Sequence, residues 1–269
     1  MNKAADITAD IDFLWLEQLT KTAGRLALKH FRHTTSKLKG DNTIVTEADR
    51  EIEDMLRQAL TEAFPGDSVL GEERGAITGQ SGRAWVLDPI DGTAAYAAGL
   101  PVWGVSIGIL DRWKPVAGVF YMPLQDEYYQ SDGKHATLNG KPIRVDTSQH
   151  IDEHSFLCAT SEAHRRYEID FVGKTRIFGS TAAHICYVAR GTAVAAVLGR
   201  PALWDVAGAL PVLQAAGGTL SSLVNGVGVP DLTPMADGRK FPHTMLAGPS
   251  WALQFFGERI SEKHTSHAE

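Results

Sequence analysis

The sequence predicts a mixed α/β fold, on three observations. Apolar runs of strand length alternate with stretches of helical periodicity along the 269 residues. Several strands come in pairs separated by turn residues, at Asp111-Arg112, Ser131-Asp132-Gly133 and Asn139-Gly140-Lys141-Pro142. Breakers such as Pro65-Gly66 and Gly217-Gly218 close the helical stretches.

In order, residues 11–31 place Phe13, Leu16, Leu19, Ala23, Leu26 and Ala27 on one helical face. Residues 37–43 read as a loop. Thr46 is a good N-cap, and Glu47 and Asp49 suit the first turn of a second helix that runs to about Phe64. Strands are expected at 68–70, 84–87, 102–110, 115–122 and 127–130. Next come strands at 156–159 and 175–178, then a helix capped by Ser180 and ended by Gly191, and a strand over 193–198. Residues 204–216 read as one helix, although Pro211 inside it lacks an amide donor and crowds the preceding turn. Strands at 219–223 and 244–247 and a helix over 250–260 complete the set, and the polar residues 261–269 read as a frayed end.

The length suits a single domain of two lobes, about 1–147 and 148–269, divided in the polar segment 147–153. Net charge is −6 and no Lys/Arg run stands out, which argues against a nucleic-acid partner. Two cysteines, Cys158 and Cys186, are too few for a disulfide framework and read as small buried apolar residues of a reduced, cytoplasmic protein. No secretory signal and no membrane-length apolar run is visible.

The chemistry-bearing residues are acids at loop and helix starts: Asp49, Glu72, Glu73, Asp88, Asp91 and Asp205. Hard divalent cations such as Mg²⁺ take oxygen ligands, so a site for several of them needs carboxylates converging from separate elements. The stretch Asp88-Pro89-Ile90-Asp91-Gly92-Thr93 concentrates two carboxylates, a hydroxyl and a glycine after an apolar strand. Proline fixes a turn torsion there, so both aspartates and the Ile90 carbonyl can face one side. Gly92-Thr93 then opens a short segment whose amides suit a phosphate. Taken singly, each has a plainer reading: a solvated tight turn, a surface acid pair at Glu72-Glu73, helix-start acids at Asp49 and Asp205, and surface histidines at His150 and His154.

The combination is more specific. Thr46-x-x-Asp49, Gly71-Glu72-Glu73, the 88–93 stretch, Gly179-Ser180, Trp204-Asp205-Val206-Ala207 and Ala216-Gly217-Gly218 occur in that order, over roughly residues 39–218. Together they resemble the inositol monophosphatase family of lithium-sensitive, Mg²⁺-dependent phosphatases. The resemblance implies a layered α-β-α-β-α sandwich, a homodimer, and two or three Mg²⁺ ions held by Glu72, Asp88, the Ile90 carbonyl, Asp91 and Asp205. It implies that Gly92 and Thr93 receive the phosphate. Asp91, Gly179, Ser180 and Asp205 would contact the rest of a small phosphorylated metabolite. Glu72, or Thr93 backed by Asp49, would orient or deprotonate the water that attacks phosphorus in line.

The sequence departs from the pattern in three places. Ala94-Ala95-Tyr96 stands where the family usually has Asn followed by Phe. Val194 and Leu198 replace acids that inositol-specific members carry. The expected activity is therefore hydrolysis of a small polyol or sugar phosphate of the inositol-1-phosphate type. Histidinol phosphate, fructose 1,6-bisphosphate and phosphoadenosine phosphate are alternatives, and a weakly active regulatory or binding protein is an alternative of another class. Arg200, near Asp205, is either a solvated loop arginine or a contact for a second anionic group.

Overall fold

A computed structural model describes residues 7–33, 36–38, 44–224, 226–227 and 232–263. Its helices are α1 (Phe13–His30), α2 (Glu47–Ala63), α3 (Thr93–Ala97), α4 (Ala163–Arg166), α5 (Thr181–Ala189), α6 (Trp204–Ala207), α7 (Ala209–Ala215) and α8 (Ser250–Gly257). Two sheets carry them. The first has eight strands, running in space from Lys141–Pro142 through Lys114–Met122, Gly104–Asp111, Arg83–Asp91 and Ser68–Gly71 to Gly75–Ile77. The second has six, with Phe156–Ala159, Ala195–Gly199 and Met245–Gly248 at its centre.

The layer order follows from what each face buries. Leu16, Ala23 and Ala27 of α1 and Ile52, Leu56 and Leu60 of α2 pack on Trp85, Leu87, Val105 and Ile107 of the first sheet. The opposite face of that sheet meets α5, α6 and α7, which also cover Cys158, Ala196 and Ala247 of the second sheet. The outer face of the second sheet packs Leu157, Val197 and Leu246 on Leu253 and Phe256 of α8. The result is the α-β-α-β-α sandwich, each layer apolar on the faces it buries. Cys158 and Cys186 are buried and unbridged within it. No helix among the described residues is long and apolar enough to cross a membrane.

The structure revises several expected elements. The helix expected over 204–216 is two helices joined at Gly208. Pro211 has no N–H for the Ala207 carbonyl four residues back, which explains an interruption there. The strand expected to end at Leu87 continues to Asp91. The last helix stops at Gly257, and Ile260–Glu262 forms a strand against Tyr167–Ile169, within a charged stretch that sequence left unassigned. That pairing orders the start of the end expected to fray; residues 264–269 lie outside the described residues. Ser36–Leu38 pairs with Ile44–Thr46, so the expected loop over 37–43 begins later, and residues 39–43 of it also lie outside.

Candidate active site

In a regular strand residues 88 and 91, an odd number apart, point to opposite faces. Here the pairing slips: Asp88 faces Ser106 while Asp91 faces Gly104, so three steps on one strand match two on its partner. That bulge across Pro89-Ile90 returns both carboxylates to one side. The expected turn at 88–91 is thus a bulged strand end. The chain turns at Gly92, whose φ of 95° lies in the left-handed region. A Cβ on Gly92 would stand 3.1 Å from the Gly179 carbonyl.

Asp205 reaches the same place from the middle helical layer. It lies in the first turn of α6, where its Oδ2 accepts the Ala202 N–H at 2.7 Å. Gly108 and Gly118, cross-strand partners in the first sheet, seat this helix. A Cβ on Gly108 would lie 2.5 Å from the Ala207 Cβ, and one on Gly118 would lie 2.4 Å from the Gly208 carbonyl. The helix backbone therefore rests directly on the sheet. Asp88, Asp91 and Asp205 each offer an oxygen within 4.8 Å of the others.

Glu72 arrives along a parallel neighbour. Gly71 pairs with Leu87, so Glu72 leaves its strand at the end of the sheet where Asp88 follows Leu87. The turn that carries Glu72 is held by Glu53, which sequence reasoning missed. Glu53 accepts the Glu73 N–H at 2.7 Å and the Arg74 N–H at 3.0 Å, and Arg57 Nε donates to it at 2.8 Å. The signal was present: Asp49, Glu53 and Arg57 recur every four residues on one face of α2. On the same face Asp49 accepts the Thr46 N–H at 2.8 Å and the Thr93 hydroxyl at 3.2 Å. The Thr93 hydroxyl also lies 2.9 Å from the Ile90 carbonyl.

Gly179 and Ser180, expected to face a substrate hydroxyl, lie against Gly92 and Asp91. Ser180 is fully buried; its hydroxyl donates to Asp91 and accepts the Ala183 N–H at 3.1 Å, capping α5. Its hydroxyl is thus engaged inside the protein, where it holds Asp91. The Thr181 and Ala182 N–H groups add bonds to Asp91 at 3.2 and 3.0 Å. Neither donor was legible, because they lie about ninety residues along the chain from Asp91.

The electrostatics ask for a cation. Burial pushes the Asp88 carboxyl well above its usual range, and the charges of Glu72, Asp91, Asp205 and Asp49 push it further. Burial raises Asp91 to about 7 despite its three donors. Burial also raises Asp49 to about 6, against the opposing bonds from Thr46. Buried like charges are stable as anions only beside a compensating positive charge. The donors are all oxygens, so the residues present fit hard divalent ions such as Mg²⁺.

Comparison with known proteins gives the same direction. The sequence model described as "Inositol monophosphatase family" matches residues 12–253. The chain is 33% identical to a histidinol-phosphatase of Chlorobaculum parvum over 79% of this chain and 88% of the other. It is 37% identical to a histidinol-phosphatase of Mycobacterium tuberculosis over 71% and 78%. The fold is that of the extragenic suppressor protein suhB from Bartonella henselae, with a TM-score of 0.79 at 24% identity over 91% of this chain and 96% of that one.

Proposed function

Because the chain belongs to the inositol monophosphatase family, and so to the phosphoric monoester hydrolases, we propose that it hydrolyses a small polyol or sugar phosphate at the acidic cluster with Mg²⁺. The observation that carries this is the convergence of Asp88, Asp91 and Asp205 within 4.8 Å, from a strand and a helix more than a hundred residues apart. Glu72, the Ile90 carbonyl and those three aspartates would hold two or three ions. When bound, Mg²⁺ neutralises phosphate charge and makes water a better nucleophile. Glu72 and the Thr93 hydroxyl, polarised by Asp49, orient the attacking water. Gly92 and Thr93 hold the phosphate through their amides, as the family resemblance suggests. Ser180 and the start of α5 keep Asp91 aimed at the cluster. The single domain of two lobes, the homodimer and the cytoplasmic setting belong to the same proposal and rest on the sequence and the family resemblance.

Histidinol phosphate is a second reading, favoured by the names of the two relatives and by Leu198 and Val194, which offer no carboxylate to a polyol. The test is release of inorganic phosphate from inositol 1-phosphate, fructose 1,6-bisphosphate, histidinol phosphate and phosphoadenosine phosphate, with Mg²⁺ and with chelator. Release from at least one ester, lost with chelator and inhibited by Li⁺, is the expected result. Negligible release from all four with Mg²⁺ overturns the proposal.

A further inference from the structure

The chain crosses from the edge strand Lys174–Arg176 of the second sheet to α5 over residues 177–180, which belong to neither strand nor helix. This crossing meets the candidate site at two points. Gly179, with a φ of 93°, stands its carbonyl against Gly92, and a Cβ on Gly179 would lie 3.1 Å from the Ala95 Cβ. Ser180 places its hydroxyl on Asp91, and the Thr181 and Ala182 N–H groups follow it there. Whatever fixes residues 178–180 therefore fixes one aspartate of the cluster and the glycine that follows it.

His184 supplies a fixing bond. It lies one turn into α5, where its own N–H donates to the Ser180 carbonyl at 3.2 Å. From there its ring reaches back, and the Phe178 N–H donates to Nε2 at 3.1 Å. A backbone N–H only donates, so Nε2 is the acceptor and the neutral ring carries its proton on Nδ1. The ring is buried, and burial lowers it to about 4, so it is neutral at ordinary pH. The bond ties the start of the crossing to the helix that the crossing enters, with Gly179 and Ser180 enclosed between. Aromatic packing holds the same residue: the Phe178 ring lies 5.9 Å from the His184 ring and 5.3 Å, edge-on, from that of Tyr187.

We propose that His184 is a positioning residue for the reaction: as a neutral acceptor it holds the Phe178 amide, and through that segment it keeps Ser180 on Asp91 and Gly179 against Gly92. The proposal rests on the phosphatase reading above and names a residue that sets its metal site from outside the cluster. The chemistry of the bond says which replacements work. Gln carries its side-chain oxygen as many bonds from Cβ as Nε2 is, so it can accept the same N–H. Leu fills comparable space without an acceptor, and the Phe178 N–H then loses its partner.

The test titrates the full chain with Mg²⁺ alone, by calorimetry, as wild type, His184→Leu and His184→Gln. His184→Leu should raise the Mg²⁺ Kd about fivefold, less than the loss of a group bonded directly to a ligand, because His184 acts at one remove. His184→Gln should stay within about twofold of wild type, because the acceptor is kept. Circular dichroism establishes that each variant is folded. A folded Leu variant with wild-type Mg²⁺ affinity would make the histidine structural alone and overturns the proposal, as does a folded Gln variant as weak as the Leu one. Isotope-edited NMR of histidine-labelled wild type near neutral pH reads the ring without relying on the Leu variant, the His184 signal being the one lost in the Gln variant. The Nδ1–H tautomer is expected; the Nε2–H tautomer or a charged ring overturns the proposal. Absence of Mg²⁺-dependent release from all four esters in the wild type overturns the phosphatase reading, while the Mg²⁺ titration and the tautomer still decide what His184 does for the cluster.

Discussion

Asp91 accepts hydrogen bonds from Ser180, Thr181 and Ala182 while facing Asp88 and Asp205. Those donors keep the carboxylate aimed at the cluster, and burial beside other acids disfavours its charge unless a cation compensates it. Asp91→Asn keeps the shape and removes the charge. Phosphate release should fall by about a hundredfold or more, beyond the usual effect of losing a group that only supports a metal ligand. Far-ultraviolet circular dichroism should stay native-like. A folded Asp91→Asn protein with near-normal Mg²⁺-dependent turnover would remove Asp91 from the ligand set. At this scale much of the candidate site was legible: acids at strand ends and helix starts, in a specific order, marked Asp49, Glu72, Asp88, Asp91 and Asp205 as candidates. Their supports were harder to read. Ser180 announced itself as a helix cap, which it is, but its bond to Asp91 spans 89 positions and leaves no local trace. Glu53 resembles any buried helix acid until the turn it holds is known.

Between elements, the bulge at residues 88–91 and the seat of α6 bring Asp205 to Asp88 and Asp91. The Gly108 and Gly118 pair lets α6 lie on the sheet, and a side chain at either position would push it away. Gly108→Val should lift Ala207 and with it the Asp205 end of the helix. Over-packing of this kind costs about 1–3 kcal/mol. A displaced ligand should also raise the Mg²⁺ concentration for half-maximal activity about tenfold. Chemical denaturation measures the first effect and Mg²⁺ titration of phosphate release the second. Loss of stability with unchanged Mg²⁺ demand would show that the glycines serve packing alone. These features explain where the sequence fell short. Periodicity located strands and helices well because buried faces are local patterns. A bulge depends on the partner strand's register, and a helix seat depends on glycines far from the helix in sequence. Pro211 did foretell a weakness in the 204–216 helix, and the break falls at Gly208, within one turn before it. The strand pair formed by Tyr167–Ile169 and Ile260–Glu262 joins segments with little apolar periodicity, so the first carries no expected element and the second falls where the expected last helix gives way to a frayed end.

For the whole molecule, the acidic cluster ties stability to pH and to Mg²⁺. Asp91 and Asp49 ionise in the metal-free fold near 7 and 6, and Asp88 higher than usual, whereas each ionises near 3.8 when unexposed to these neighbours. Above pH 4 the unfolded chain releases protons that the folded chain still holds. The unfolded state then binds fewer protons, so stability falls as pH rises through the folded values. His184 works the other way: burial lowers it to about 4 from an ordinary 6.5. Unfolding below pH 6.5 therefore takes up a proton at His184, and its contribution to stability grows as pH rises to that point and then levels off. Between pH 6.5 and 8.5 His184 is silent and the carboxylates are not. The thermal midpoint of chelator-treated protein should fall by a few degrees across that window. Mg²⁺ binds the ionised carboxylates, so the midpoint it restores should be larger at pH 8.5 than at 6.5. Calorimetry at both values, with and without the ion, measures this. A metal-free midpoint that holds steady or rises, with an equal Mg²⁺ increment at both values, would separate the cluster from metal binding and leave its burial without a chemical purpose.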